Sequence, residues 1–324
     1  ITVTDKKERE VLQGVVKDYQ GKGITRSLGG QPVELVDGAD DLSVTGGVPL
    51  TIPFIQKAEQ QGIQLTNDSQ IYLEETPCRV IGITGSAGKT TTTSLVGQMA
   101  AEALGQDRSW VGGNIGNPLI QDLGLMEEDH IAVMELSSFQ LDLMTVSPDI
   151  ACIVNITPNH LDRHGTMDAY TKAKSRILTY QGPADTAVLN REDPISWALR
   201  DQIRGKLVSF GISKPENHQP GTYQDGEWIS FWNGEESERL MPVNSIQLRG
   251  EHNRMNVLAA CAIGVAADFP ASAMRSGVET LTGVPHRLEL VRSWNGVDWV
   301  NDSKATAPEL SIAAMRSFHE SLSL

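Results

Sequence analysis

The stretch "RVIGITGSAGKTTTT", residues 79 to 93, constrains the fold more than any other part of the chain. Its apolar run reads as a buried strand, Gly85 to Gly88 as a tight turn, and Lys89 onward as a helix. The N–H groups of such a turn and of the helix start point at an anion. A strand that is apolar throughout must be covered on both faces, which is the habit of parallel sheets flanked by helices. The loop is short: only Ser86 and Ala87 separate Gly85 from Gly88-Lys89, where the general phosphate-loop pattern has four residues. Thr90 to Thr93 make a poor helix start, because β-branched side chains lose rotamer freedom there. Something other than propensity must hold that turn.

Three later runs, "IAVMEL", "DIACIVNI" and "TAVLN", each lead into a polar loop and then a helical stretch. That succession predicts an α/β fold with a mainly parallel sheet. Asp225-Gly226 and Asn233-Gly234 mark the turns of antiparallel hairpins, and a helix is expected at "NRMNVLAACAIGVAADF", with Asn253 able to cap it. Boundaries are expected near Pro77 and around Gly283-Val284-Pro285, dividing the chain into 1–77, 78–283 and 284–324. The first part alternates short apolar runs with helical patterns, as a small α/β domain with a parallel sheet does. The last carries a hairpin around Asn295-Gly296 and a helix, "PELSIAAMRSF", with Pro308 in its first turn. Because "ITVTD" reads as an interior strand, a fragment is expected.

Composition narrows the partners. The net charge of −14 argues against broad nucleic-acid or anionic-membrane binding, which needs a surplus of Lys and Arg on one face. No run approaches the roughly 18 apolar residues that would cross a bilayer. Cys78, Cys152 and Cys261 are far apart and form no C-x-x-C pair, so a reducing, cytoplasmic setting is expected.

Several residues carry chemistry. Lys89 would reach the β- and γ-phosphates of a nucleotide and Thr90 a magnesium ion, or the stretch is only a glycine turn before a threonine-rich helix. Glu135 ends a strand, where open α/β sheets place their ligands, and could bind Mg²⁺ or be solvated. His160 and His164 stand four apart, which invites zinc, but no H-E-x-x-H and no third ligand accompany them. His160 follows "IACIVNI" and should reach the same crevice as Glu135. Periodicity decides nothing about Lys174. Asn256 lies one turn beyond Asn253 at the head of an apolar helix, where a ligand contact would explain it. Arg287, Asp302, Lys304 and Thr306 cluster around a boundary, as a solvated loop or as contacts to nucleotide and substrate.

Taken in order, "GITGSAGKTTTT", "GGNIGNP", "MELSSFQLD", "NITPNHLDRHGTMDAYTKAKSRI", "LRGEHNRMN", "VPHRLE" and "NDSKATAP" resemble the Mur ligase family over essentially the whole chain. "ELSSFQL", "PHRLE" and "NDSKAT" favour the branch that adds D-glutamate. The resemblance implies a Rossmann-like N-terminal remnant, a central P-loop ATPase domain and the start of a C-terminal Rossmann-like domain. It implies that ATP phosphorylates the carboxylate of UDP-N-acetylmuramoyl-L-alanine and that the amine of D-glutamate displaces the phosphate, in bacterial peptidoglycan precursor synthesis.

By position, the resemblance places Gly85, Ser86, Ala87, Gly88, Lys89, Thr90 and Thr91 around the ATP phosphates, with Asn256, Arg287, Asp302 and Lys304 near the nucleotide. Thr90 and Glu135 would share one Mg²⁺, and His160 would help hold a second ion. Lys174 matches the family lysine that CO₂ carbamylates, and Lys89, His160 and Lys174 are the implied catalytic set. Asp5, Lys6 and Gly47 would hold the UDP part, Asn114 and Ser137 would lie near the muramoyl substrate, and Thr306 would approach D-glutamate. A monomer is expected, with no nucleic acid bound and no membrane insertion. A folylpolyglutamate synthase-like ligase and a P-loop regulatory ATPase are the alternatives.

Overall fold

The computed structural model describes residues 1–12, 21–305, 308–318 and 323. The chain forms two compact units, Ile1–Asn67 and Asp68–Leu324.

In the first unit, β1 (Thr2–Asp5) pairs in parallel with β2 (Thr25–Leu28), and β3 (Asp41–Ser43) in parallel with β4 (Gln64–Thr66). The parallel pairing is as expected, but the strands form two separate pairs rather than one sheet among the described residues. Helix α1 (Pro53–Gln60) starts on a proline, whose missing N–H costs nothing at a first turn, and buries Phe54, Ile55 and Ala58.

The second unit opens with α2 (Asp68–Glu75), whose Tyr72 is fully buried in its core. Residues 68–77 therefore pack with this unit. Nine strands follow: β5 (Arg79–Thr84), β6 (Ser109–Gly113), β7 (Ile131–Glu135), β8 (Ile150–Ile153), β9 (Thr186–Asn190), β10 (Lys206–Phe210), β11 (Gly221–Asp225), β12 (Trp228–Trp232) and β13 (Ser237–Pro242). They build one sheet in the order β13-β12-β11-β10-β9-β8-β5-β7-β6. Pairing is parallel from β6 to β11 and antiparallel through β12 and β13.

The continuous apolar runs are explained by a core on each face. Ile81, Ile83, Val133 and Cys152 enter one cluster with α3 (Lys89–Leu104), α8 (Glu251–Ala266) and α9 (Ala271–Thr280). Val80, Ala132, Met134 and Ile153 face the other, which takes side chains from α2, α4 (Ser138–Leu141) and α6 (Met167–Thr179). Short helices α5 (Leu161–His164) and α7 (Pro194–Ala198) complete this layer. Packing, not propensity, holds the threonine-rich start of α3: Thr92 and Thr93 are fully buried. At Gly277 of α9 an added Cβ would lie 2.7 Å from the Met99 backbone nitrogen, so only glycine permits the α3–α9 approach.

Asn253 is not the cap expected from sequence. Helix α8 begins earlier, at Glu251, with Gly250 as N-cap, and the Asn253 amide donates to the Arg249 carbonyl at 2.6 Å. The chain continues as hairpin β14 (Glu289–Trp294) and β15 (Val297–Asn301), then α10 (Pro308–Arg316). Asn295 and Gly296 both have positive φ, 49° and 78°, the two-residue turn that Asn-Gly predicts.

Candidate active site

Strand order reverses around β5. The chain leaves β5 for β6 and β7 on one side and reaches β8 on the other, so the crevice lies at the carboxyl ends of β5, β7 and β8. Three chain segments meet there: residues 84–91, Glu135 at the end of β7, and residues 154–160 after β8.

Gly88 sets the phosphate loop. Its φ of 82° is left-handed, and a Cβ there would collide with the Asn256 side-chain oxygen. The α3 N-terminus has no side-chain cap, so its first N–H groups remain for an external acceptor. The Lys89 ammonium folds back onto the loop, donating to the Gly85 carbonyl at 3.0 Å and the Ser86 carbonyl at 3.4 Å.

Lys174 reaches the same point from α6. It is 1% exposed, donates to the Gly85 carbonyl at 2.9 Å and Thr84 Oγ1 at 3.3 Å, and lies 4.8 Å from the centre of the Tyr170 ring. Burial, then the charge of Lys89, holds the Lys174 amine well below the usual lysine range, while Glu135 pulls the other way. Lys89 is lowered too, first by burial. Two buried lysines sharing one carbonyl make a mouth that favours an anion.

Glu135 is the nearby counter-charge and is 2% exposed. Its Oε1 accepts from the Asn114 amide at 2.8 Å, and the Asn114 N–H donates to the Glu135 carbonyl at 2.8 Å. Its Oε2 is buried with no hydrogen-bond partner. One carboxylate oxygen is thus oriented and the other left open, which fits a hard divalent cation. Thr90 is buried close by, with its Oγ1 3.5 Å from the Arg287 guanidinium, whose Nε is likewise unpaired.

His160 takes a left-handed φ of 52° at the start of α5. Its imidazole is held below its ordinary pKa by partial burial and then by Lys89 and Lys174. His164 does not share a zinc site with it: its Nε2 bonds Ser138 Oγ at 2.9 Å and its ring stacks on Phe139 at 5.1 Å, while His160 meets that ring edge-on. Among the described residues, the one group of three His, Cys, Asp or Glu side chains whose ligand atoms lie within 4.8 Å of one another is Glu127, Asp129 and His130, before the amino end of β7, and it includes neither His160 nor His164.

The structure therefore brings together Gly85, Ser86, Ala87, Gly88, Lys89, Thr90, Glu135, His160, Lys174 and Asn114. Ser137 is spent on local structure, forming a capping box with Gln140 at the start of α4. A cavity of about 210 Å³ adjoins the loop, lined by Ala87, Gly88, Thr91, Asn256, Arg287 and Asp302 among others. Lys304 is exposed, its N–H donating to the His286 carbonyl at 3.2 Å. In the first unit, Asp5, Lys6 and Gly47 line one cavity of about 260 Å³. Thr306 lies outside the described residues.

Sequence reasoning missed Asn155, Tyr170 and His252. Asn155 and Tyr170 bond the loop, and His252 lines the cavity beside it. Position offered one signal: Asn155 is the first side-chain amide beyond β8.

The profile of the Mur ligase middle domain matches residues 83–264, more than half of the chain. The chain belongs to the Mur ligase family. Among the similar curated proteins, a UDP-N-acetylmuramoylalanine–D-glutamate ligase of Symbiobacterium thermophilum is 38% identical over 315 residues, covering 97% of this chain and 69% of that protein. The ligase of the same name from Clostridium novyi is 37% identical over 321 residues, 99% of this chain and 68% of that protein. A crystal structure of MurF from Acinetobacter baumannii aligns with a TM-score of 0.59 at 21% identity, covering 82% of this chain and 64% of that chain. A structure of a UDP-N-acetylmuramoyl-L-alanyl-D-glutamate–2,6-diaminopimelate ligase aligns at 0.58 and 19%, covering 86% and 69%. These two structural likenesses speak to the fold, a Mur-type multi-domain α/β architecture.

Proposed function

We propose that this Mur ligase family member is an ATP-dependent amide ligase that joins D-glutamate to UDP-N-acetylmuramoyl-L-alanine through an acyl phosphate. One observation carries the reading: Lys89 and Lys174 converge on the Gly85 carbonyl within electrostatic reach of Glu135, whose second oxygen has no partner. A carboxylate is a poor electrophile, and phosphorylating it supplies a leaving group. The Lys89 ammonium at the loop suits the anionic charge that develops, and preorganised charge of this kind supplies much of the rate enhancement in many such reactions.

The chain's own residues have separable tasks. The N–H groups at the start of α3 and the Lys89 ammonium hold the phosphates; Asn256, Arg287 and Asp302 line the cavity that would take the rest of the nucleotide. Asn114 orients Glu135, and Glu135 with Thr90 would hold Mg²⁺, which when bound neutralises phosphate charge. His160 would bear on a second ion. Lys174, whose amine burial pushes toward the unprotonated form, is the amine available to CO₂, since only that form reacts; the product is a carbamate and a released proton. Asp5, Lys6 and Gly47 would hold the UDP part in the first unit.

In this reading the UDP-substrate domain ends at Asn67, short of the 1–77 expected from sequence, because residues 68–77 pack with the ATPase domain that runs on through 78–283, and 284–324 open an amino-acid-binding domain. The exposed apolar hairpin β14–β15 supports the last assignment, because an isolated two-stranded hairpin is marginal in water. Offering UDP-N-acetylmuramoyl-L-alanine and a folate acceptor in parallel tests the reading. ATP-dependent D-glutamate addition to the first alone is expected, and turnover of the folate instead would overturn it.

A further inference from the structure

Asn155 makes three hydrogen bonds to the phosphate loop across the β5–β8 seam. Its backbone carbonyl accepts from the Ser86 N–H at 2.9 Å, its Oδ1 accepts from the Ala87 N–H at 2.9 Å, and its Nδ2 donates to the Ala87 carbonyl at 3.1 Å. A side-chain amide that binds both polar groups of one residue fixes the peptides on either side of it. The next residue is Gly88, whose left-handed turn starts α3.

The clamp also decides which donors remain. The N–H groups of Ser86 and Ala87 are consumed, and the Thr92 N–H already bonds the Gly88 carbonyl at 2.9 Å. A phosphate is left with the N–H groups of Gly88, Lys89, Thr90 and Thr91, the unsatisfied donors of the helix start. Of the two residues between Gly85 and Gly88, Ser86 is tied through its hydroxyl to Thr157 and Tyr170, and Ala87 through the Asn155 side chain.

We propose that Asn155 is a positioning residue for nucleotide binding, acting through Ala87 to preset the Gly88 turn and converge these four N–H groups on one phosphate group. The inference rests on the ATP reading above.

The test compares wild type with Asn155→Ala, which removes both side-chain bonds and keeps the backbone one. ADP with Mg²⁺ is titrated calorimetrically, KM is measured for ATP and for the muramoyl acceptor, and amide exchange at Ala87 is followed by NMR. The expected result is an ADP Kd and an ATP KM raised about 10–100-fold, as for other small misplacements of binding groups. The acceptor KM should stay within about twofold, because its binding groups do not pass through the clamp. The Ala87 amide is protected in wild type and exchanges freely in the variant.

An unchanged ADP Kd overturns the proposal, and a parallel rise in both KM values overturns it by showing a general structural role. Fast exchange at Ala87 in the wild-type protein overturns it without any variant, which covers a variant that fails to fold. Failure of wild type to bind ADP instead overturns the ATP reading, and this inference with it.

Discussion

Strands β5, β7 and β8 bury every isoleucine, valine and methionine they carry, whereas the hairpin β14–β15 leaves Leu290, Val291, Trp294, Val297 and Trp299 each more than half exposed. Both regions are rich in strand-forming residues. The difference is coverage: the central strands have helices on both faces, and the hairpin has only itself among the described residues. Apolar composition thus predicts strands in both places and stability in one. The hairpin's apolar side chains have no covering layer among the described residues, while the central strands are tied down so that their carboxyl ends present Lys89, Glu135 and the loop before His160 at fixed positions.

Substitutions should separate the two regions by size of effect. Ile81→Ala in β5 should cost about 2–5 kcal/mol in a denaturant titration, the range for emptying a packed core position. Val291→Ala in the hairpin should stay within about 0.5 kcal/mol. Equal costs would mean that coverage by helices does not decide stability here. At the ends of the buried strands, Lys89→Ala should lower ATP-dependent product formation by about 10²–10³-fold, as loss of one preorganised charge donor does, with the fold retained by circular dichroism. Near-normal turnover would remove Lys89 from the site.

Lys174→Met should act on stability in the opposite direction. Burying the amine holds its folded pKa well below the reference of 10.5, so the unfolded chain takes up a proton that the folded chain does not. The penalty is full below the folded pKa and fades as pH rises from there toward 10.5. The variant should therefore melt higher than wild type near neutrality, by about 2–4 °C for each kcal/mol relieved, and the gap should narrow as the pH becomes strongly alkaline. A pH-independent gap would show that Lys174 is charged in the folded protein. The smallest effect is expected for Trp294→Thr with Trp299→Thr, which should leave the melting temperature nearly unchanged, since both side chains are more than half exposed. A large drop in melting temperature would mean that the hairpin is packed.

Much of this was legible in the sequence because it depends on neighbours along the chain. The apolar runs located β5, β7, β8 and β9, Asn295-Gly296 located its turn, and Pro308 located the start of α10. The start of α8 was not legible, since Gly250 caps it without a side-chain bond and left Asn253 as the only visible candidate. The two separate strand pairs of the first unit were hidden because alternation of patterns does not say which strands are hydrogen-bonded. At the site, Gly85 to Thr91 could be read from one local motif. The roles of Asn155 and Tyr170 could not, because each depends on meeting a loop residue 68 or 84 positions away. The spacing of His160 and His164 suggested a shared ion, yet Phe139 lies against both rings, and no local pattern predicts that contact.

In the proposed reaction, nucleotide chemistry at the Lys89–Lys174 mouth is coupled to a carboxylate acceptor. Phosphate release from ATP and Mg²⁺, measured with UDP-N-acetylmuramoyl-L-alanine and D-glutamate each omitted in turn, tests that coupling directly. Full release is expected only with both present, and little without the muramoyl acceptor. Equal release in the absence of that acceptor would contradict the coupling and leave a nucleotide hydrolase.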